Sequence, residues 1–507
     1  MNYADLFRVT LPETALEIAA LLVLVVDLVF MRKAALRTRA SVAALLGVVG
    51  CISALWLMPG NAMFSIDGTA NTALLVTGGW VAAAQVGILV LTGLTLVFLV
   101  DAGFTRHVGE YVAIVLMSAT GGLIIAGAQD LLVIFVGLEL LSLGLYVITA
   151  FAKQSGRGAE AAMKYYLFGG MSAAFLLFGF SYLYGLTGST NLHQVVLGSI
   201  ASVGSGSPLF YVALVLVAAG LGFKVAAVPF HLWAPDAYEG APAPAAAFIA
   251  SVSKVASFAL LIGIGMAILH PFGDVRVRVV RMVVFHIGPS PKWFGLAAPW
   301  SLLLAVLAAA SMTVGNLAAL AQISVRRLLA YSAIAHAGYM LLALAYLSSR
   351  GAAAILYYIL TYGLTTIAAF GVVGVVERAT GTDRLDGFLG LNKRNPLLAG
   401  VLLVLFLSLA GIPPLVGFWA KFNLFAAVLR VGAGVWPFTL VALAVAFSAV
   451  SLYYYLQVLK RAYVMPAADE TPIRVHPVTM ITLLLIAAAV VVLGCLPDLL
   501  QNWIASF

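Results

Sequence analysis

The sequence predicts an all-α polytopic membrane protein of about fourteen transmembrane helices. Two inverted five-helix repeats are expected within it, with discontinuous helices at positions seven and twelve. Three observations carry this prediction. Of 507 residues, 63% are hydrophobic and only 9% are Asp, Glu, Lys or Arg, against about 25% charged in a soluble domain. Apolar runs of about 20 residues, the length that crosses a bilayer as helix, recur from end to end, and two of them are interrupted by prolines. These runs are continuous and rich in Leu, Ala, Val and Gly, which excludes the short alternating strands of an outer-membrane barrel.

The N-terminal stretch has its basic cluster, Arg32 and Lys33, after the first apolar run and not before it, so it reads as an uncleaved first helix. Polar and Gly/Pro-rich breaks then divide the chain into spans at 13–31, 40–58, 78–100, 110–128, 130–151, 160–185, 208–233, 242–269, 298–322, 327–348, 351–377, 396–429, 436–459 and 477–497. Of 27 basic residues, 16 fall in odd-numbered loops, among them Arg39, Arg157 and Arg394, and seven in even loops and termini. The positive-inside rule thereby sets the odd loops in the cytoplasm and both termini outside. Four of the seven outer residues crowd the 270–297 loop, whose role stays open.

The remaining four basic residues, Lys164, Lys224, Lys254 and Lys421, lie inside predicted spans, and Glu139 is their central acidic counterpart. A lysine at a bilayer centre costs about 2.5–3.5 kcal/mol on insertion scales, which demands a reason. Lys164, about one turn into its span, also suits a side chain that snorkels to the interface.

Pro229, Pro235, Pro242 and Pro244 follow Lys224, and Gly411, Pro413 and Pro414 precede Lys421. Proline removes a helix hydrogen bond. Unpaired backbone in a bilayer is tolerated only where protein or a hydrated cavity covers it. Spans four to eight and nine to thirteen each hold a broken helix fourth in order, and five being odd, the second set enters from the opposite side. The expected organisation is three N-terminal helices (1–109), a first repeat (110–269), an extracytoplasmic connection (270–297), a second repeat (298–460), and a cytoplasmic loop with a last helix (461–507).

Redox and nucleotide chemistry find no residues here. Cys51 and Cys495 lie in separate apolar runs, the seven histidines are scattered, and no dinucleotide or phosphate-loop motif occurs. The net charge of +8 is spread through loops and not clustered as nucleic-acid binding requires, so lipid is expected and nucleic acid is not.

The strings LPETALEIAALLVLVVDL, MKYYLFGGMSAAFLLFGFSYLYGLTG, GFKVAAVPFHLWAPDAYEGAPAPAAAFIASVSKVASFALL, RLLAYSAIAHAGYMLLAL and LAGIPPLVGFWAKF resemble the antiporter-like membrane subunits of respiratory complex I. The YEGAPAP…SVSK stretch and GFWAKF are most similar to the N-type subunits of bacterial NADH-quinone oxidoreductases. The resemblance implies a proton-translocating subunit in the bacterial inner membrane, with other membrane-arm subunits as partners. It also implies no cofactor in this chain, since NADH, FMN, iron–sulfur clusters and quinone belong to partner subunits. On the family's pattern, Glu139 matches the fifth-helix glutamate, and Lys224, Lys254 and Lys421 match the seventh-, eighth- and twelfth-helix sites. Lys164 matches a sixth-helix lysine of less defined role.

Burial weakens a lysine's hold on its proton and a nearby carboxylate strengthens it, so the separation of a Glu–Lys pair can act as a gate. On this reading Glu139 and Lys224 gate, Lys254 relays and Lys421 is the terminal site. Candidates for carrying water or protons between them are His231, Ser251, Ser253, Thr313, Asn316, Tyr331, His336, Thr365 and Thr366, each equally compatible with a packing role. Two other functions stay open. A multisubunit Na+/H+ antiporter subunit would share most motifs, although Tyr238–Pro242 fits the complex I type better. An autonomous ion-coupled solute transporter would call for a cluster of polar or aromatic residues to hold an organic substrate, and none is apparent.

Overall fold

The computed structural model describes residues 3–65, 72–204, 207–269, 294–431, 434–467 and 471–506. In chain order the helices are α1 (Tyr3–Val9), α2 (Leu11–Val25), α3 (Leu36–Trp56), α4 (Gly79–Leu99), α5 (Val108–Gly127), α6 (Leu131–Thr149) and α7 (Gly156–Thr187). Then come α8 (Leu192–Gly204), α9 (Pro208–Val225), α10 (Trp233–Gly240), α11 (Ala243–Ala250) and α12 (Val252–Leu269). The second half holds α13 (Phe294–Leu320), α14 (Val325–Ala345), α15 (Ser349–Thr380), α16 (Leu391–Arg394), α17 (Pro396–Ala410) and α18 (Val416–Val431). The chain closes with α19 (Val435–Tyr463), α20 (Pro477–Cys495) and α21 (Pro497–Ala505). Among the described residues 12 helical spans are long and apolar enough to cross a membrane. The two remaining predicted spans correspond to interrupted helices: α2 runs into a π-helical turn at Val26–Phe30, and α17 is separated from α18 by a break.

Local chemistry sets the helix ends. Asp130, Ser155, Ser324, Ser348 and Asn395 each accept a backbone N–H of the first turn they precede, satisfying donors the helix cannot. Gly188 and Gly381 close the two 32-residue helices in the left-handed region, which favours glycine. α7 therefore begins earlier than expected, and Lys164 lies more than two turns into it. Elements beyond the predicted spans also appear: a short hairpin pairing Met63–Ser65 with Ala73–Val76, the connecting helix α8 and the terminal helix α21. Most of the predicted 270–297 connection lies outside the described residues.

One buried carboxylate ties α2 and α3 to α5. Asp27, in the π-helical turn, accepts two bonds of 2.7 Å from the Arg39 guanidinium and one of 3.1 Å from the Gly109 N–H at the start of α5. A charge this buried is held only when paired and hydrogen-bonded.

The halves repeat each other in local detail. Leu131 N–H donates to the Thr190 carbonyl and Leu192 N–H to Gln129; in the second half Val325 donates to Asp383 and Leu385 to Ile323. At the same place a side-chain bond joins the helix cap to the returning loop. Thr190 donates to the Asp130 carboxylate at 2.6 Å, whereas Ser324 donates to the Asp383 carboxylate, so donor and acceptor have exchanged sides. These equivalences support the duplication inferred from the order of broken helices.

Candidate functional site

Lys224, Lys254 and Lys421 are all buried, at 8%, 2% and 6% exposure, and the helix breaks bring them onto one interior line. Glu139 and Ser142 lie one turn apart on α6 and so share a face. Both meet Lys224, the penultimate residue of α9. Its ammonium donates to the Ser142 hydroxyl, while the nearest Glu139 carboxylate oxygen stands 4.0 Å away. Ser142 in turn donates to the Leu138 carbonyl. The pair is thus adjacent without a direct hydrogen bond, and the glutamate side chain is less enclosed by this chain than the lysine, 27% against 7% exposed.

α9 ends at Val225 because Ala226 adopts a left-handed conformation, φ 59°. The chain then turns through Pro229 before α10 and α11, which ends where Ser251 interrupts the path into α12. Lys254, near the start of α12, reaches back to this break and donates to the carbonyls of Val225 at 2.9 Å and Ala333 at 3.3 Å. One turn beyond Ala333 on α14 lies His336. Its Nδ1 is 2.7 Å from the Tyr358 hydroxyl and its Nε2 3.5 Å from that of Tyr455, which also bonds Ser332. The imidazole packs edge-on against Tyr339 at 5.7 Å between ring centres, and the Lys421 ammonium lies 5.6 Å from the centre of the Tyr339 ring. Lys421 donates to the Ala410 carbonyl and the Ser448 hydroxyl, both at 2.8 Å. Among the described residues neither Lys254 nor Lys421 pairs with a carboxylate.

The other predicted residues divide. Asn316 joins the line, donating to Tyr339 at 3.2 Å and accepting from Tyr454 at 3.1 Å. His231 is buried near the first break with Nδ1 unpartnered, and Thr366 is buried with its hydroxyl unpartnered. Ser251, Thr313 and Thr365 donate to carbonyls of their own helices, at Ala247, Ala309 and Thr361. Ser253 is buried beside Lys254, and Tyr331 is half-buried.

Lys164 stands apart from the buried line, at 43% side-chain exposure. It bonds Glu160 at 2.7 Å and Asp236 at 2.9 Å; Asp236 bonds Arg327 at 2.6 Å, and Arg327 bonds Glu239 at 2.9 Å. This chain of charges joins α7 and α10 to the start of α14, bridging the halves. Next to it, a cavity of about 410 Å³ adjoins one of about 620 Å³, and both are lined by Arg157, Glu239, Glu377 and Asp383. The lining is charged, and the recess lies between the halves at the end marked by odd loops.

Sequence reading missed Ser142, Ser448, Tyr339, Tyr358 and Tyr455. Ser142 carried a signal, three residues after Glu139 on a helical face. Tyr339 carried the same signal, three residues after His336 on α14, whereas Ser448, Tyr358 and Tyr455 reach the line only through packing of distant helices. Among the described residues no group of three or more His, Cys, Asp or Glu side chains is arranged to hold a metal ion.

Comparison with known proteins follows this geometry. A family model described as NADH:quinone oxidoreductase/Mrp antiporter, transmembrane, matches residues 128–288 and 279–448. NADH-quinone oxidoreductase subunit N 2 of Acidobacterium capsulatum is 46% identical, covering 99% of both chains, and subunit N of an Anaeromyxobacter species is 36% identical over 95% of this chain and 93% of its own. A chain of respiratory complex I from Thermus thermophilus, solved with bound aureothin, is 33% identical with a TM-score of 0.74, covering 97% of this chain and 98% of its own. The Mrp complex from Dietzia contains a chain sharing the fold, with a TM-score of 0.79 at 23% identity, covering 98% of this chain and 51% of its own. With its membrane helices, two matched stretches and full-length relatives, the chain belongs to the NADH:quinone oxidoreductase/Mrp antiporter transmembrane family.

Proposed function

We propose that this chain is the N-type proton-translocating membrane subunit of an NADH-quinone oxidoreductase, moving protons with energy released by electron transfer in partner subunits. The observation that carries the reading is the Glu139–Lys224 pair at 4.0 Å, heading a buried line that runs through Lys254 to Lys421. Buried charges of one sign persist in a membrane where they serve an ion pathway. Glu139 is the mobile partner: moving onto Lys224 it holds the proton there, and moving away it releases it. Lys254 receives that proton, and the His336, Tyr358 and Tyr455 cluster passes it on to Lys421.

NADH, FMN, iron–sulfur clusters and quinone are assigned to partner subunits, and the other membrane-arm subunits, antiporter-like ones included, are the neighbours. The boundaries at 109, 269, 297 and 460 divide the chain into the leading helices, two repeats, their connection and the closing segment. Both termini face the periplasm. Lys164 serves the charge network between the halves and not the pathway itself.

The test is deletion of this chain in its own host, with NADH-driven acidification measured in membrane vesicles. Loss of NADH-driven acidification, restored by the intact gene, is expected. Sodium-dependent proton exchange that persists without NADH and vanishes with the gene would instead assign the chain to an antiporter. Reporter fusions after Arg39, Arg157 and Arg394 should read cytoplasmic, and one at the C-terminus periplasmic. Termini on opposite sides would remove the inverted arrangement.

A further inference from the structure

The two helix breaks have the same backbone frame, related by a shift of 185 residues. Ala227 N–H donates to the Gly222 carbonyl at 2.8 Å, and Ile412 N–H to the Leu407 carbonyl at 3.0 Å. Ala226 and Gly411 are the left-handed residues, with φ of 59° and 88°. The same shift carries Pro229 onto Pro414 and Val225 onto Ala410. In a continuous helix the carbonyls of Val225 and Ala410 would accept from the residues four positions on. Those residues are Pro229 and Pro414, which have no N–H to give.

Each of these two orphaned carbonyls takes a lysine: Lys254 at 2.9 Å on Val225, Lys421 at 2.8 Å on Ala410. The lysines are not themselves equivalent. Lys254 comes from α12, whereas Lys421 comes from the second part of the same broken helix. Lys224, which does lie on the first broken helix, corresponds to Leu409 and bonds Ser142 instead. What the halves share is the acceptor, not the donor.

We propose that the carbonyls of Val225 and Ala410 are the ammonium-holding groups of two proton sites, and that the docked lysine in turn holds each break in shape. The first break therefore answers to Lys254, on another helix, and not to Lys224, which is part of the broken helix. An ammonium makes a charge-assisted bond to the carbonyl, and a neutral amine makes a weaker one. Proton occupancy and break geometry are thereby linked, each favouring the other. The proposal takes its purpose from the proton-translocation reading, but the docking can be tested without measuring pumping.

The test uses the assembled complex in membrane vesicles. Cys495, the exposed native thiol, is replaced by Ala, and a reporter is introduced as Ala227→Cys or Ile412→Cys. Maleimide incorporated into this chain is read after separation of the subunits. Lys254→Met is expected to raise labelling at 227 several-fold and leave 412 unchanged, Lys421→Met to do the reverse, and Lys224→Met to change neither. Unchanged labelling at 227 in Lys254→Met, or equal loosening there in Lys224→Met, overturns the proposal. The expected pattern with normal pumping would keep the docking and remove the proton-site role.

A second pair of variants covers failure of the lysine mutants to assemble. A Cβ at Gly411 would lie 2.9 Å from Lys421 Cδ and 3.2 Å from its Nζ, whereas one at Gly381, also left-handed at φ 73°, meets nothing within 4 Å. Gly411→Ala and Gly381→Ala thus share backbone strain, and only the first displaces the lysine. A several-fold lower pumping rate per assembled complex in Gly411→Ala than in Gly381→Ala is expected. Equal losses overturn the proposal.

Discussion

The two ends of the buried line solve one problem with different chemistry. At the first end a carboxylate, Glu139, stands 4.0 Å from Lys224 and is only partly enclosed by this chain. At the second end Lys421 is held by a carbonyl, a hydroxyl and an aromatic face, with no carboxylate partner among the described residues. A charged partner can change a lysine's proton affinity by moving, whereas a backbone carbonyl such as that of Ala410 cannot be withdrawn without rearranging a helix. The comparison teaches that a common backbone frame does not fix the electrostatics: under the proposed function, the first end suits a gate and the second a receiver.

The largest effect should come from breaking the first end. Glu139→Gln removes the charge that faces Lys224 and Lys224→Ala removes the ammonium itself, so each should lower pumping by about tenfold or more, about 1.4 kcal/mol on the barrier. Residues acting as one unit are non-additive, so the double variant should be little worse than either single one. Proton-pumping rates of reconstituted vesicles with matched complex provide the measurement, and additive losses would dissolve the gate.

Lys254→Met tests whether the ends communicate. It keeps most of the side-chain volume and removes the ammonium, so pumping and quinone reductase activity should fall together while assembly is retained. Unchanged rates of both activities in this variant would make Lys254 structural.

A smaller effect is expected from Tyr455→Phe, which deletes the hydroxyl near His336 Nε2 but leaves the 2.7 Å contact of Nδ1 with Tyr358. Pumping should drop by a few-fold at most, with the loss confined to proton transfer beyond Lys254. A loss as large as that of Lys254→Met would mean that transfer has no second route through Tyr358.

The smallest belongs to Lys164→Ala. Exposed ion pairs contribute little, and Arg327 still holds Asp236 at 2.6 Å. Pumping should change by about twofold at most, and by less as salt is raised. A collapse matching Glu139→Gln would bring Lys164 onto the pathway.

Much of this architecture was legible because a bilayer enforces it. Apolar length gives the spans, and a charged residue inside one has to be accounted for, which is how Glu139 and the three buried lysines were found. Proline marked both breaks for the same reason: no surrounding water can replace the missing donor. Less legible was which oxygen each lysine would choose. Ser448 is 27 residues from Lys421 and Val225 is 29 from Lys254, and those pairings depend on helix packing that no local pattern encodes. For Lys164 the position near the start of a span was legible, but its partner Asp236, 72 residues away, was not.

The bond between Asp130 and Thr190, mirrored by Ser324 and Asp383 with the roles reversed, bears on how such a molecule can be rebuilt. A residue-by-residue comparison of the halves scores both positions as mismatches, although the pair is inherited as one object. Transplanting Asp130 alone into position 324 would set two carboxylates face to face across a helix cap. Transplanting Ser324 alone into position 130 would leave two hydroxyls and no charge to stabilise the helix start. A chimera that exchanges both partners at once keeps one donor and one acceptor in place, so the unit of recombination here is the contact and not the residue.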